Sequence, residues 1–154
     1  MEIRRAELRD IDTIRTLLYQ IAALHHELRP DIFLPAKKKY SDEALSATIL
    51  NDDTPVFVAD ENGVVGYAFC IFRRYPDNGL FCDRKLLYVD DICVEEALRG
   101  RGIGKQLYAY VRAFAKEQGC DQVVLNVWAA NETAMKFYES CGMKQQRIMM
   151  EDTL

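Results

Sequence analysis

A glycine-rich turn limits the folds open to this chain more than any other segment does. Residues 99–105 read Arg-Gly-Arg-Gly-Ile-Gly-Lys, between an apolar run at 86–94 and a helical pattern that begins at Ile103. Glycine lets backbone amides approach a ligand without a Cβ in the way, and a helix N-terminus presents unpaired N–H groups with about half a positive charge. The cations of the turn are Arg99, Arg101 and Lys105. Together these features predict a pyrophosphate site; the alternative is a helix start whose glycines only permit a tight turn.

Two common phosphate-binding motifs do not fit this turn. A Walker A loop needs GxxxxGK followed by Ser or Thr, whereas Gly104-Lys105 is followed by Gln106 and the first glycine position holds Arg99. The dinucleotide fingerprint GxGxxG could begin at Gly100, but its third glycine position holds Lys105. We therefore expect neither a P-loop nor an NAD site.

The rest of the chain interleaves strand and helix patterns, which predicts a mixed α/β class. Strands are predicted at 3–6, 55–59, 64–72, 86–94, 123–127 and 148–150. Helices are predicted from a cap at Asp10 to Leu24, from Ser41 to Leu50, from Ile103 to a stop at Gly119, and from Asn131 to Ser140. The Asn-Gly pair at 62–63 predicts a hairpin turn, and residues 25–40 read as a long loop.

Length and composition exclude several classes. A chain of 154 residues suits a single domain spanning 1–154, and 49% hydrophobic with 29% charged residues is a soluble globular balance. With 20 Lys+Arg against 24 Asp+Glu, the formal charge of −4 argues against nucleic-acid binding by bulk charge. No apolar run approaches the roughly 20 residues that span a bilayer, and the first residues lack a signal-peptide core. We expect no nucleic-acid or membrane partner.

The cysteines and histidines point away from disulfides and metals. The five cysteines are odd in number and none are spaced as CxxC, so we expect reduced thiols in a cytoplasmic protein. The two histidines, His25 and His26, are adjacent and would point about 100° apart on a helix. They make a poor metal pair, so no metal is predicted.

The turn and a downstream segment together resemble one family. Arg99-x-x-Gly102-x-Gly104, after the strand that ends at Val94, resembles the acetyl-CoA signature Q/R-x-x-G-x-G/A of GCN5-related N-acetyltransferases (GNAT). The segment Asn131-Glu-Thr-Ala134-Met-Lys-Phe137-Tyr138-Glu-Ser-Cys-Gly142-Met143 resembles the same family's later N…A…FY…GF segment. The close match covers about residues 86–143, and the N-terminal half agrees in element order only.

The resemblance implies a fold and a co-substrate. The fold is a mixed, mostly antiparallel sheet of about six to seven strands with about four helices, in which the parallel strands 86–94 and 123–127 splay apart. Acetyl-CoA would place its pyrophosphate on the glycine turn and its pantetheine arm along the backbone of the first of these strands. The implied cofactor-binding residues are Ile92, Cys93, Val94, Arg99, Gly100, Arg101, Gly102, Ile103, Gly104, Lys105, Asn131 and Ala134.

Acetyl transfer to an amine needs an acid for the departing thiolate. The resemblance implies Tyr138, whose phenol has a reference pKa near ~10 and is protonated at neutral pH. The alternative is an aromatic that only packs on the sheet, as expected for Phe137. A covalent route through Cys93 is disfavoured because no histidine lies nearby in the sequence to activate the thiol.

Asp90 and Asp91 are the candidates for taking the amine proton or binding its positive charge. Successive strand side chains face opposite sides, so the two acids should not share one task. The resemblance favours Asp90, and a bulge would alter the facing and keep Asp91 open. The alternative is an acid bonded to loop amides or paired with Arg73, Arg74 or Arg84.

The acceptor pocket is implied to lie between the first two helices and their loop. That stretch contains His25, His26, Glu27, Arg29, Asp31 and Phe33, with Tyr75, Tyr88 and Trp128 as further walls. His26 is either a pH-sensitive contact or a surface histidine. Lys37, Lys38 and Lys39 are either a solvated loop or neighbours of the adenosine phosphates.

We expect an enzyme that moves an acetyl group from acetyl-CoA to a primary amine, with a small cationic amine or polyamine favoured. Acetylation of a protein N-terminus or lysine is the first alternative. A non-catalytic CoA-binding sensor is the second, and it is disfavoured by the presence of Tyr138 and the two acids. An interaction module whose turn binds nothing is the third. A homodimer is left open.

Overall fold

The computed structural model describes residues 1–35 and 40–154, which form one five-stranded sheet flanked by four helices. The strands are β1 Glu2–Arg5, β2 Val56–Asp60, β3 Val64–Tyr75, β4 Arg84–Val94 and β5 Gln122–Leu125. The helices are α1 Ile11–Leu28, α2 Asp42–Leu50, α3 Ile103–Glu117 and α4 Glu132–Ser140. The strands follow one another across the sheet in chain order; β1 to β4 pair antiparallel and β4 pairs parallel with β5. The predicted mixed α/β class with four helices is confirmed.

Both faces of the sheet are covered, which is why β2 and β3 read as almost continuous apolar runs. The core under α1 and α2 includes Ile14, Leu17, Leu45, Ile49, Val58, Tyr67, Phe69 and Cys93. The core under α3 includes Phe57, Ala68, Cys70, Leu87, Val89, Leu107 and Val111. Each fully buried Val, Leu, Ile or Phe contributes roughly 1.5–3 kcal/mol. Within the described ranges, no helix is long and apolar enough to cross a membrane.

Most predicted caps and turns are confirmed. Ser41 Oγ accepts from the Ala44 N–H at 3.2 Å, and Asn131 Oδ1 accepts from the Ala134 N–H at 3.0 Å. Gly119, with φ +69°, follows the end of α3. Asp10 differs: it precedes α1, but its carboxylate accepts from Arg4 and from the Glu7 N–H, because a short 3₁₀ turn at Leu8–Asp10 comes first.

Two predicted boundaries were wrong. The first helix continues past Leu24 to Leu28, since His25 and His26 fit a helix and Pro30 is the first residue that disfavours one. Residues 73–84 are predicted from their polar composition to be a connection, but the connection is shorter, at 76–83, because Arg73 pairs with Leu86 and Tyr75 with Arg84 across a long hairpin. At the hairpin, tertiary pairing outweighs local composition.

The number of strands is the main correction to the implied fold. The described chain has five strands, not six to seven, and no strand forms at the predicted 148–150. Ile148 and Met149 are 72% and 95% exposed. A strand needs a neighbouring backbone to pair with, and no described strand lies along this segment.

The central parallel pair diverges as the resemblance implied. Pairing of β4 with β5 runs from Leu86–Gln122 to Val89–Leu125 and stops there. β4 continues to Val94, whereas β5 ends two residues before the predicted Val127. Beyond Val89, no strand of the described chain lies beside this edge of β4, which leaves its backbone groups open to a ligand.

Candidate active site

A β-bulge in β4 puts both acids on the same face of the sheet. Phe69 of β3 pairs with Asp91 and Cys70 pairs with Val89, so Asp90 is an extra residue in β4. The hydroxyl of Tyr40, which packs against the core under α1 and α2, donates to Asp90 Oδ2 at 3.4 Å. The expectation that the two acids face opposite sides is therefore wrong, because the bulge resets the alternation between Val89 and Asp91.

Asp91 is held by a buried tyrosine on the neighbouring strand. The Tyr67 hydroxyl donates to Asp91 Oδ2 at 3.0 Å, and both residues are buried, at 0% and 9% exposure. Burial, followed by the charge of Asp91, raises the pKa of the Tyr67 phenol well above its usual value. Tyr67 is thus a permanent donor, and it orients a carboxylate on the α1–α2 face of the sheet.

Tyr138 lies close enough to Asp91 to feel its charge. Its ring is edge-on to Tyr108 at 6.5 Å and to Phe137 at 5.1 Å. Burial first, and then the negative charge of Asp91, raise the pKa of the Tyr138 phenol. A phenol in this setting keeps its proton throughout the neutral range and can donate it.

The glycine turn offers a backbone cradle. Gly100 and Gly102 have φ of +81° and +83°, in the left-handed region that favours glycine. The Gln106 N–H is bonded to the Gly102 carbonyl, so the amides at 103–105 precede the first intrahelical bond of α3. A Cβ at Gly104 would lie 3.2 Å from the Phe137 ring, so glycine also lets α3 approach α4. These amides and glycines fit the pyrophosphate that the resemblance implied.

The three cations surround this turn, and two of them have partners in the protein. Arg99 Nε donates to the Val94 carbonyl at 3.1 Å, and an Arg101 guanidinium nitrogen lies 3.7 Å from Glu61. Lys105 is exposed in the first turn of α3. The Val94 carbonyl belongs to the stretch implied to pair with the pantetheine arm, so Arg99 links that stretch to the turn.

Cys93 is unsuited to act as a nucleophile. Its side chain lies in the core under α1 and α2, with Sγ 3.8 Å from the Leu17 carbonyl. Burial raises the pKa of this thiol to about 12. A thiol with that pKa is almost entirely protonated at neutral pH. All five cysteines are free thiols, as predicted, and the cytoplasmic location remains a prediction.

Part of the implied acceptor pocket converges at the end of α1. His25 stacks on Phe33 at 5.0 Å, and Phe33 is edge-on to Trp128, which follows β5, at 5.2 Å. Arg29 lies over the Trp128 ring at 5.7 Å and pairs with Asp31 at 2.7 Å and with Glu151 at 2.9 Å.

The other predicted pocket residues are more dispersed. Tyr88 accepts from Asn126 Nδ2 at 3.2 Å and carries the Arg73 guanidinium 3.6 Å above its ring. Tyr75 is exposed and lies near Arg84 at the far end of the hairpin. His26 Nδ1 is 2.6 Å from the Phe33 carbonyl, and Glu27 is exposed. Lys37, Lys38 and Lys39 lie outside the described residues.

Two tyrosines that contact the acids were not among the predicted site residues. Tyr40, in the segment before α2, and Tyr67, on β3, each donate a hydrogen bond to one of the acids. Neither was predicted as a site residue. The signal was available for Tyr67, since a tyrosine in a fully buried strand needs a partner for its hydroxyl. In the part of the chain described, no group of three or more His, Cys, Asp or Glu side chains could hold a metal ion.

Solved structures share this architecture over the whole chain. A tetramutant of the BH1408 protein of Bacillus halodurans has a TM-score of 0.96 and 29% identity, with 100% of both chains covered. The aminoglycoside N-acetyltransferase AAC(6')-Iy in complex with CoA has a TM-score of 0.71 at 21% identity, covering 99% of this chain and 93% of that one. At that identity the second likeness concerns the fold alone.

Curated relatives and a family model agree with the fold. The aminoglycoside N(6')-acetyltransferase type 1 of Salmonella typhimurium is 28% identical, over 94% of this chain and 92% of its own. A glucosamine 6-phosphate N-acetyltransferase of Arabidopsis thaliana is 32% identical, but the match takes in only 41% of this chain and 40% of that protein. The model of the acetyltransferase (GNAT) family matches residues 19–143. The chain therefore belongs to the GNAT family and is an acetyl-CoA-dependent N-acetyltransferase, the class of enzyme that its two motifs predicted.

Proposed function

We propose that the acetyl group is transferred directly from acetyl-CoA to the primary amine of a small cationic acceptor, with polyamines the first candidates. The observation that carries this proposal is that two carboxylates, Asp90 and Asp91, lie on one face of the sheet, where the charge of Asp91 reaches the Tyr138 phenol. Carboxylates attract an ammonium group and can take its proton, and a protonated phenol can return a proton to sulfur. This combination suits an amine and needs no covalent enzyme intermediate.

The co-substrate is expected to lie along the open edge of β4 and on the glycine turn. Ile92, Cys93 and Val94 lie beyond the last β4–β5 pair, and the Val94 carbonyl there accepts from Arg99 Nε. The amides and cations of 99–105 would hold the pyrophosphate. Asn131 caps α4 and Ala134 lies in its first turn, where the Asn131 side-chain oxygen Oδ1 accepts from the Ala134 N–H. Acetyl-CoA supplies the acetyl group and the thiolate leaving group when bound.

Each proton in the transfer is assigned to a side chain of this protein. Asp90, the bulged residue and the less buried acid, takes the proton that the acceptor ammonium must lose before its nitrogen attacks. Tyr138 donates its proton to the departing sulfur and regains one from solvent. Asp91, which accepts a hydrogen bond from Tyr67, attracts the positive charge of the acceptor ammonium group.

Thiol release from acetyl-CoA over a panel of amines tests the proposed function. The panel holds polyamines, aminoglycosides, glucosamine 6-phosphate, and peptides with a free N-terminus or a lysine. We expect turnover with the polyamines and a lower rate with the phosphorylated sugar. Turnover restricted to the peptides would show that the acceptors are proteins and not small amines. If CoA stabilises the protein but no amine is acetylated, the protein is a CoA-binding sensor. If CoA does not stabilise it, the protein is an interaction module.

The two acids are separable by their effects on kcat and on the amine KM. We expect Asp90→Asn to lower kcat by about 10²-fold, because it deletes the group that accepts the amine proton. Asp91→Asn should raise the amine KM by about 10-fold and leave kcat within about 2-fold, since it removes a charge that attracts the ammonium group. Initial-rate kinetics over a range of amine concentrations make the comparison. A kcat that survives both substitutions would assign the proton to another group or to bulk water.

We also propose a homodimer that covers the exposed end of the chain. Ile148, Met149 and Met150 are adjacent apolar side chains, the last 85% exposed, and contact with a second copy would remove them from water. Light scattering after gel filtration should give a mass of two chains for the wild type and of one for Met149→Glu. Thr153→Glu, which adds the same charge at an exposed polar position, should remain dimeric. A wild-type mass of one chain would refute the dimer.

A further inference from the structure

The Tyr67 hydroxyl is the least expected polar group in the core under α1 and α2. Its ring packs edge-on against Phe69 at 5.0 Å among aliphatic side chains, where phenylalanine would fill nearly the same space. Burying a hydroxyl is costly unless it makes a hydrogen bond. Here that bond goes to a carboxylate that is itself buried. The hydroxyl therefore has a use that apolar packing does not require.

The hydrogen bond from Tyr67 constrains Asp91, which has several titratable groups around it. Asp91 follows the bulged Asp90 on β4, and its charge raises the pKa of Tyr138 on α4 and of Cys93 on its own strand. Tyr40 donates to the neighbouring Asp90 from the segment before α2. Two adjacent carboxylates repel each other, and each is steadied by a tyrosine donor from a different element.

We propose that Tyr67 is a positioning residue for the amine acceptor, acting through Asp91. Its hydroxyl holds Asp91 Oδ2, so the carboxylate keeps a single rotamer and directs its charge to the acceptor side of the bulge. The inference rests on the proposed function, because it gives Asp91 the task of attracting the ammonium group. It adds a residue that neither motif of the family resemblance contains.

Removing only the hydroxyl should affect one substrate and not the other. We expect Tyr67→Phe to raise the amine KM by about 10-fold, in the range of a hydrogen bond to a charged group. The KM for acetyl-CoA should stay within about 2-fold, because the turn at 99–105 is untouched. A role in packing alone would leave both constants unchanged or shift both together.

A double-mutant cycle with Asp91→Asn shows whether Tyr67 acts through Asp91. If it does, adding Tyr67→Phe to Asp91→Asn should change the amine KM by less than about 2-fold. Tyr110→Phe is the matched control, because its ring packs edge-on against Phe57 on the other face of the sheet and away from the acids. It should leave both KM values unchanged in either background.

The outcomes separate this inference from the proposed function. No turnover by the wild type on any amine would remove the function itself. If the wild type is active and the effects of Tyr67→Phe and Asp91→Asn on the amine KM multiply, the role of Tyr67 is overturned and the proposed function stands. A Tyr67→Phe chain that fails to fold by circular dichroism would assign the hydroxyl to stability and would overturn it as well.

Discussion

Tyr138→Phe is expected to lower kcat on the authentic amine by at least about 10-fold, because the departing thiolate loses its proton donor. The KM for acetyl-CoA and the melting temperature should change little, since phenylalanine retains the ring that lies edge-on to Tyr108 and Phe137. Initial-rate kinetics by thiol release, together with a thermal melt, measure all three quantities.

Tyr108→Phe is the matched control for that substitution. Tyr108 is also buried, and burial raises the pKa of its phenol too, yet it lies on α3 behind Tyr138. Its loss should leave kcat within about 2-fold. Because the pKa of Tyr138 is raised, the wild type should not lose activity through this group on the alkaline side below about pH 10. Unchanged turnover in Tyr138→Phe would assign the acid to another group or to water.

Gly102→Glu is expected to abolish binding of CoA. Gly102 stands at the N-cap of α3 with φ +83°, a conformation that costs a side-chain-bearing residue about 1–3 kcal/mol. The new carboxylate would stand beside the amides that are expected to hold the pyrophosphate, and it would repel that group. A thermal-shift titration should show no stabilisation by CoA, whereas the wild type is stabilised in proportion to ligand concentration.

Gly79→Glu separates charge at the cradle from backbone strain. Gly79 has φ +80° and open space around it, so the substitution brings the same strain and the same charge to the connection between β3 and β4. This variant should have a lower melting temperature than the wild type, but CoA should raise that temperature by as much as it does in the wild type. Gly102→Ala, which is strained but uncharged, should fall between the two. A normal CoA shift in Gly102→Glu would place the pyrophosphate elsewhere.

The glycine turn and the second motif could be predicted from sequence, because the residues of each lie close together in the chain. Glycines with positive φ, a helix start and adjacent cations lie within seven residues of sequence, so spacing alone carries the inference. The Asn-Gly turn, the Ser41 and Asn131 caps and the Gly119 stop are local in the same sense. Family membership followed from these segments before any contact between strands was known.

Local patterns did not predict which face of the sheet each side chain takes or where the strands pair. The bulge at Asp90 depends on how β3 aligns with β4, and a shift of one residue reverses every later side chain. The strand predicted at 148–150 has the right residue types but no described neighbour to pair with. The hairpin past Arg73 formed despite polar composition, because the opposite strand supplied partners.

The amino-acid sequence by itself determined the glycine cradle, the capped helices, the apolar strands and the family to which the chain belongs. The cradle, the caps and the strands each depend on residues within one turn or one strand period of each other, and the family follows from two such local motifs, at 99–104 and 131–143. Only the tertiary structure decided that Asp90 and Asp91 share a face, that Tyr67 fastens Asp91, and that Asp91 lies near Tyr138. Asp91 is 24 positions from Tyr67 and 47 from Tyr138 in the chain, and no local pattern encodes the register of β3 on β4 or the packing of α4 that set these neighbours.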